Sequence, residues 1–241
     1  MSAVVLAAFG LFPWLALIVL GGLTAFHLLL LVTGLLERNP LNPLIPLPPG
    51  ERVELPAYLE AMNQMAAEAT FVHQGTFGHA KGGTHREYTS IWFSPERDVL
   101  AVIEGGKMAK LPVRKALLYS RAAGEGFIAS TDVAGLPDVS GLTTKSVLLH
   151  ADFHELLAHH MARVAEAGVA LLPFDESTGL AVFDHIETRT VHRLEQLGYA
   201  RFLDPARTTW RYTLKGMVVL LRKKRVPREQ AQRVKIPRPG S

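Results

Sequence analysis

Residues 11–36 read LFPWLALIVLGGLTAFHLLLLVTGLL, a run that is apolar almost throughout and ends at Glu37 and Arg38. No charged side chain occurs between residues 1 and 36. The hydrocarbon core of a bilayer is ~30 Å thick and needs about 20 helical residues, so this run is long enough to span it. A secretory signal peptide would have a shorter apolar core, preceded by Lys or Arg. We therefore expect residues 1–38 to form a single transmembrane anchor.

One face of the expected helix carries small and polar side chains at alternating intervals of three and four residues. This spacing is typical of the contact face of a left-handed helix pair. Membrane helices associate through small residues and polar side chains, because lipid provides no hydrophobic driving force between them. We therefore expect at least one transmembrane partner helix on this face. The residues of the helix-packing face are Leu17, Leu20, Thr24, His27, Leu31 and Gly34.

His27 lies near the centre of the expected span, where an ionisable side chain is a functional candidate. The preferred interpretation is a neutral imidazole that bonds to a backbone carbonyl or to a partner helix. Ligation of haem or a pigment by His27 is the alternative, and no cofactor is predicted.

The basic character of the chain is confined to its C-terminus. Residues 222–241 contain eight Lys or Arg residues and one Glu, a net charge of +7, whereas the remainder carries −3. Basic residues near an anionic cytoplasmic leaflet contribute ~1 kcal/mol each to membrane binding. The two interpretations of the tail are contact with anionic lipid headgroups or another polyanion, and a disordered, solvated segment. We expect a cell (inner or plasma) membrane protein with its N-terminus outside and its C-terminal domain cytoplasmic. The expected contact residues are Arg222, Lys223, Lys224, Arg225 and Arg228.

The segments behind the anchor predict an α+β domain. Six prolines in residues 39–56 favour an extended spacer, and residues 57–68 have helical spacing. The hydrophobic period then changes to two, with turn residues at KGG, SPER, GG and AAGEG. Short connections between such runs predict an antiparallel β-meander of about five to six strands, covered by two or three helices. We expect helices on one face of this sheet and another surface, such as a partner, on the other.

Two helices follow the meander. Asp152 and Glu155 have the spacing of a capping box, and a second helix is expected to begin near Ser177 or Thr178. The predicted organisation is an anchor (1–38), a spacer (39–56), a helix plus meander (57–150), a helical and α-β-β appendage (151–221) and a basic tail (222–241).

The sequence lacks the motifs that would indicate catalysis. It contains no Cys, P-loop, dinucleotide fingerprint or nucleophile elbow. The histidines at 150, 154, 159 and 160 do not form a zinc-binding pair on one helix face. We therefore lean against an enzyme, with a His-based metallo-hydrolase as a third hypothesis. The preferred hypothesis is a single-pass membrane-anchored binding protein, an accessory or scaffold subunit of a membrane protein assembly.

A segment near the C-terminus supports a different class of function. The sequence HRLEQLGYARFLDPARTTWRYTLKG, residues 192–216, resembles the recognition helix and wing of winged-helix regulators. The resemblance implies a membrane-tethered nucleic-acid-binding regulator that uses residues 189–216 and the basic tail. Nucleic acid is nevertheless not among the expected partners under the preferred hypothesis. The phosphate contacts that the resemblance implies are Arg189, Arg193, Arg201, Arg207 and Arg211.

Overall fold

A computed structural model describes residues 21–22, 24–25, 28–29, 31–47, 54–79, 86–108, 111–123, 126–134, 138–222 and 228–230. These residues form an α+β structure built on an antiparallel-rich sheet of nine strands, with helices on both of its faces. A second sheet of three strands lies beside it.

Twelve strands and four complete helices are described, together with part of an N-terminal helix. The strands are β1 (Asn39–Pro40), β2 (Leu44–Pro46), β3 (Val72–His79), β4 (Arg86–Phe93), β5 (Leu100–Met108), β6 (Leu111–Ala122), β7 (Phe127–Thr131), β8 (Thr143–Leu149), β9 (Leu171–Leu172), β10 (Ala200–Phe202), β11 (Thr209–Tyr212) and β12 (Arg228–Gln230). The helices are α1 (Ala57–Glu68), α2 (Phe153–Ala167), α3 (Gly179–Gln196) and α4 (Leu214–Arg222). Residues 31–36 are also helical, as are the described residues between 21 and 29, and we call this segment the N-terminal helix.

The predicted meander is present as β3 to β7, in which each strand pairs antiparallel with the next. Because side chains alternate along a strand, Trp92 and Phe93 point to opposite faces, and both are buried, with 8% and 1% of their surface exposed. Residues of α1 and α2 pack on the face that bears Trp92. Residues of α3 pack on the face that bears Phe93. Both faces of the sheet are thus covered, and the surface on the second face is α3 of the same chain.

The glycine pair Gly105–Gly106, predicted as a turn, lies inside β5 instead. A Cβ at Gly105 would lie 2.9 Å from the Cβ of Leu59, so a glycine here lets α1 approach the sheet closely. Gly106 has a φ of 156°. Gly105 thus serves close packing of α1 on the sheet, and turn composition alone does not distinguish such a glycine from one at the end of a strand.

The last strand of the predicted meander runs in the opposite direction to the one expected. β7 and β8 are parallel, with Phe127 beside Thr143, and β12 adds a second parallel pair on the outer edge of β8. Residues 132–142 separate β7 from β8, and this connection is long enough to return the chain to the starting end of β7. The antiparallel pairing expected for β8 was therefore wrong.

The proline-rich segment contributes edge strands to both sheets. β1 pairs with β11 in the three-stranded sheet, whose order is β1-β11-β10, and β2 pairs with β3 at the edge of the large sheet. Leu44 is buried, so this part of the segment lies along the domain. Prolines fit such positions because edge strands leave one row of backbone groups unpaired.

The helix signals read from the sequence are confirmed. The Asp152 side chain accepts a hydrogen bond from the Glu155 N–H, and the Glu155 side chain accepts one from the Asp152 N–H. Thr178 caps α3, and Gly198, with a φ of 72°, follows its last turn. Among the described residues, no helix is both long and apolar enough to cross a membrane, and most of residues 11–30 lie outside those described.

Candidate functional site

Three of the six residues of the predicted helix-packing face are described. Thr24 lies in the N-terminal helix, and Leu31 packs against an apolar cluster that includes residues of α4. Gly34 lies directly against Met217 of α4, and any Cβ at this position would clash with the Met217 side chain. Leu17, Leu20 and His27 lie outside the described residues, as does any haem or pigment ligation by His27.

The N-terminal helix and α4 form a packed pair. Leu31 and Leu35 meet Met217 and Leu220, with Trp210 and Tyr212 of β11 completing the cluster. The other side of the N-terminal helix is covered by none of the described residues. Its exposed apolar side chains are Leu29 (62%), Val32 (48%) and Leu36 (68%). Contiguous exposed apolar surface of this kind marks an interaction site with protein or lipid.

The basic residues expected to contact headgroups begin at the end of this helix pair. Arg222 ends α4 and is exposed, and the apolar side chains of Leu214 and Leu221 on α4 are exposed as well. Lys223, Lys224 and Arg225 lie outside the described residues. Arg228 belongs to β12, which pairs with β8, so the basic tail contains a strand of the large sheet.

The segment that resembles a winged helix forms α3, the β10–β11 hairpin and α4. Arg207 in the hairpin loop donates a hydrogen bond to the Glu195 carboxylate and lies over the ring of Phe202. Arg189 and Arg193 line an open cleft of about 550 Å³ on the side of α3 that faces Gly141. One of the five arginines is thus neutralised by a carboxylate, while two lie along a cleft lined by no acidic residue among those described.

A second site, which the sequence did not indicate, lies between the large sheet, α3 and β11. It is a cavity of about 210 Å³, which we call the Lys145 cavity. Leu117, Ile186 and Leu194 are among its apolar lining residues. Its ionisable lining residues are Tyr119 of β6, Asp138, Lys145 of β8, Glu187 of α3 and Tyr212 of β11.

Four of these polar side chains have no partner among the described residues. Lys145, Glu187, Tyr119 and Tyr212 form no side-chain hydrogen bond or ion pair with any residue in the described part of the chain. Asp138, by contrast, accepts hydrogen bonds from the Ser140 N–H and hydroxyl and from the Thr143 N–H. Tyr119 is buried, whereas Lys145, Glu187 and Tyr212 are partly exposed, so all four side chains keep hydrogen-bonding capacity that a molecule in the cavity could use.

Burial and neighbouring charges shift the pKa values of these groups. Desolvation lowers the pKa of Lys145, and the nearby charge of Lys115 lowers it further. Desolvation raises the pKa of Glu187, against the opposing effect of Lys115. It also raises the pKa of Tyr119 well above its usual value and that of Tyr212 to about 12. Each of these four side chains is thus shifted towards its neutral form.

A pair of opposite charges lies at the edge of this region. Lys115 Nζ is 2.7 Å from Glu104 Oε1, and the two residues face each other across β5 and β6. The pair raises the pKa of Lys115 against the effect of desolvation. Because Lys115 and Glu104 neutralise each other, Lys145 and Glu187 are the unpaired charges of the cavity.

The opposite face of the sheet carries a buried chain of hydroxyl and imidazole groups. His160 is fully buried, and its Nε2 and Nδ1 atoms lie 3.0 Å from the hydroxyls of Ser120 and Ser130. Ser130 contacts Ser146 at 2.9 Å, and Ser146 contacts His159 Nε2 at 3.0 Å. The distance between Ser146 and His159 is that of a nucleophile and its base. Ser146 also contacts the Ser130 hydroxyl within hydrogen-bond distance, and a buried polar network needs such a bond for each of its members.

The assignment of function is based neither on a metal site nor on similarity to a known protein. The described residues contain no group of three or more His, Asp or Glu side chains that could hold a metal ion. Comparisons with protein-family models, curated proteins and solved structures gave no significant match.

The sequence did not predict the Lys145 cavity because its lining residues are distant from one another along the chain. Two of these residues nevertheless carried a local signal. Lys145 shares its strand face with Val147, which is buried, and Glu187 follows the buried Ile186 on α3. A charged residue on an inward face is the pattern that could have identified it.

Proposed function

We propose that the protein is a single-pass membrane-anchored binding protein that acts as an accessory or scaffold subunit of a membrane assembly. The observation that carries this proposal is the division of the N-terminal helix into two faces. Leu31 and Gly34 of the predicted helix-packing face pack, with Leu35, on α4 of the same chain and not on a partner helix, while Leu29, Val32 and Leu36 remain exposed on the other side. A helix whose outer face is apolar suits lipid or a partner helix better than water.

The same pair supports a position of the domain close to the bilayer. α4 packs against the N-terminal helix through Met217, and its exposed Leu221 and Arg222 follow this contact along α4. An apolar side chain followed by basic residues favours the interface of an anionic leaflet. This arrangement supports an N-terminus outside the cell membrane and a cytoplasmic domain.

Membrane anchoring is tested with the full-length chain by alkaline extraction of isolated membranes. Gly22→Arg combined with Leu29→Arg places two charges on described positions of the apolar helix, each costing about 3 kcal/mol near the centre of a span. We expect the parent protein in the pellet and the double variant largely in the supernatant. Glu60→Arg, at an exposed position of α1, is the matched control and stays in the pellet. Release of the parent protein by alkali would overturn the anchor.

The subunit role is tested separately by a photoreactive residue at Leu29 or Leu31. Leu29 is exposed, so it should crosslink to a partner protein, whereas Leu31 should crosslink to α4 of its own chain. Adducts of Leu29 with lipid alone would refute the accessory-subunit role and leave the anchor intact.

A membrane-tethered nucleic-acid-binding regulator is a second candidate, favoured by the cleft that Arg189 and Arg193 line. Phosphate contacts make binding strongly dependent on salt concentration. Under this hypothesis the full-length protein in detergent retains duplex DNA at low salt, and Arg193→Glu abolishes retention. The same retention by Arg193→Glu, or none by the parent protein, would exclude this function.

A further inference from the structure

We propose that the Lys145 cavity is a binding site for a small zwitterion of amino-acid size, whose anionic group pairs with Lys145 and whose ammonium pairs with Glu187. The site is independent of membrane anchoring. It rests on the partly open cavity beside α3 and on the polar side chains that line it without a partner among the described residues.

The charges of the cavity match a ligand that carries both signs. Lys145 and Glu187 both line the cavity, but the described residues contain no ion pair between them. Lys115 and Glu104 form an ion pair, and Asp138 accepts hydrogen bonds from Ser140 and Thr143. Lys145 and Glu187 are then a cation and an anion without an ion-pair partner among the described residues, and a ligand that carries both signs would pair with the two at once. A neutral or singly charged ligand would satisfy at most one of them.

The remaining lining sets the size and shape of the ligand. A volume of about 210 Å³ lies below the ~300–1,000 Å³ of typical small-molecule sites, which favours a ligand of amino-acid size. Leu117, Ile186 and Leu194 offer apolar contacts to a short side chain. The hydroxyls of Tyr119 and Tyr212 can each donate a hydrogen bond to a carboxylate, and each lacks a side-chain partner among the described residues.

Pre-placed groups of this kind are typical of ligand sites, in which a few polar side chains orient a molecule among apolar walls. The shifts of the Lys145 and Glu187 pKa values towards the neutral forms are consistent with a cavity that lacks its counter-charges. A zwitterion supplies both counter-charges at once and restores the ionised forms.

The test uses the full-length protein in detergent and isothermal titration calorimetry with alanine, valine and leucine as probes. Their methyl esters lack the carboxylate, and the corresponding carboxylic acids lack the amine. We expect at least one amino acid to bind, with its ester and its deaminated acid binding at least about thirtyfold more weakly, as expected when one partner of a buried charge pair is removed. Binding of the ester or the acid as tightly as the amino acid would overturn the assignment.

Variants locate the binding within the protein. Lys145→Met and Glu187→Gln preserve side-chain size and should each weaken binding by at least about thirtyfold. Tyr119→Phe removes only a hydroxyl and should weaken it severalfold, which keeps the test valid if a charge variant fails to fold. Lys107→Met, at an exposed position of β5, is the matched control and should bind like the parent. If no probe binds the parent protein, or if these cavity variants bind as the control does, the cavity holds water only and the proposal fails.

Discussion

Lowering the pH should destabilise the protein through a single buried imidazole, His160. His160 is fully buried, and burial lowers its pKa to about 4 from an ordinary value of 6.5. Ser120 donates its hydroxyl proton to the carbonyl of Asp98, so it must accept from His160 Nε2, which leaves His160 Nδ1 to accept from Ser130. A second proton on the ring would face the Ser130 hydroxyl proton. The network therefore holds the ring neutral.

The magnitude follows from the difference between folded and unfolded pKa values. Between pH 6.5 and 4 the unfolded chain binds a proton at this residue and the folded protein does not, so stability falls as the pH falls. A shift of 2.5 pH units at 1.36 kcal/mol each corresponds to a loss of about 3 kcal/mol by pH 4. Above pH 6.5 this contribution is constant.

The assay is urea unfolding of the full-length protein in detergent, followed by tryptophan fluorescence at several values of pH. His160→Gln keeps polar atoms for the two serines but cannot titrate, so its unfolding free energy should lack this component of the acid loss. His154→Gln, at an exposed position of the same helix, should retain the parent slope. If the parent protein and His160→Gln lose stability equally between pH 6.5 and 4, His160 is not the neutral buried base described.

Three further changes test packing and capping. Gly34→Leu should separate the N-terminal helix from α4 because its side chain would occupy the position of Met217, and chemical crosslinking between the two helices should be lost. Phe153→Ala should lower the free energy of unfolding by about 3–5 kcal/mol, whereas Met161→Ala, at an exposed position of the same helix, should change it by less than about 0.5 kcal/mol. Asp152→Ala removes the N-cap of α2 and should cost about 1 kcal/mol in the same denaturation assay.

Local patterns were sufficient to predict several elements. Alternation along β4 places Trp92 and Phe93 on opposite buried faces, and the Asp152–Glu155 spacing marks the start of α2. Both depend on residues within a few positions of one another. The direction of β8 does not, because either direction is compatible with the same alternating sequence once the connection is long.

Longer-range packing decided what the sequence could not predict. Gly105 resembles a turn residue until Leu59, on a helix more than forty residues earlier, is seen against it. Lys145 and Glu187 meet at one cavity only because α3 crosses the face of the sheet that bears β8. The spacing of Lys145 and Glu187 along the chain does not predict that they line one cavity, because their proximity depends on the path of every element between them.

The pairing of β1 with β11 gives the protein an unusual order of assembly. Asn39 lies beside Trp210, although 171 positions separate them along the chain. The meander can form as it leaves the ribosome, because its strands follow one another directly. The N-terminal helix must wait for α4, and at about 5–20 residues per second that interval is roughly ten to forty seconds. During that time the side of the helix that bears Leu31 and Leu35 is open, and any apolar surface nearby has the first opportunity to occupy it.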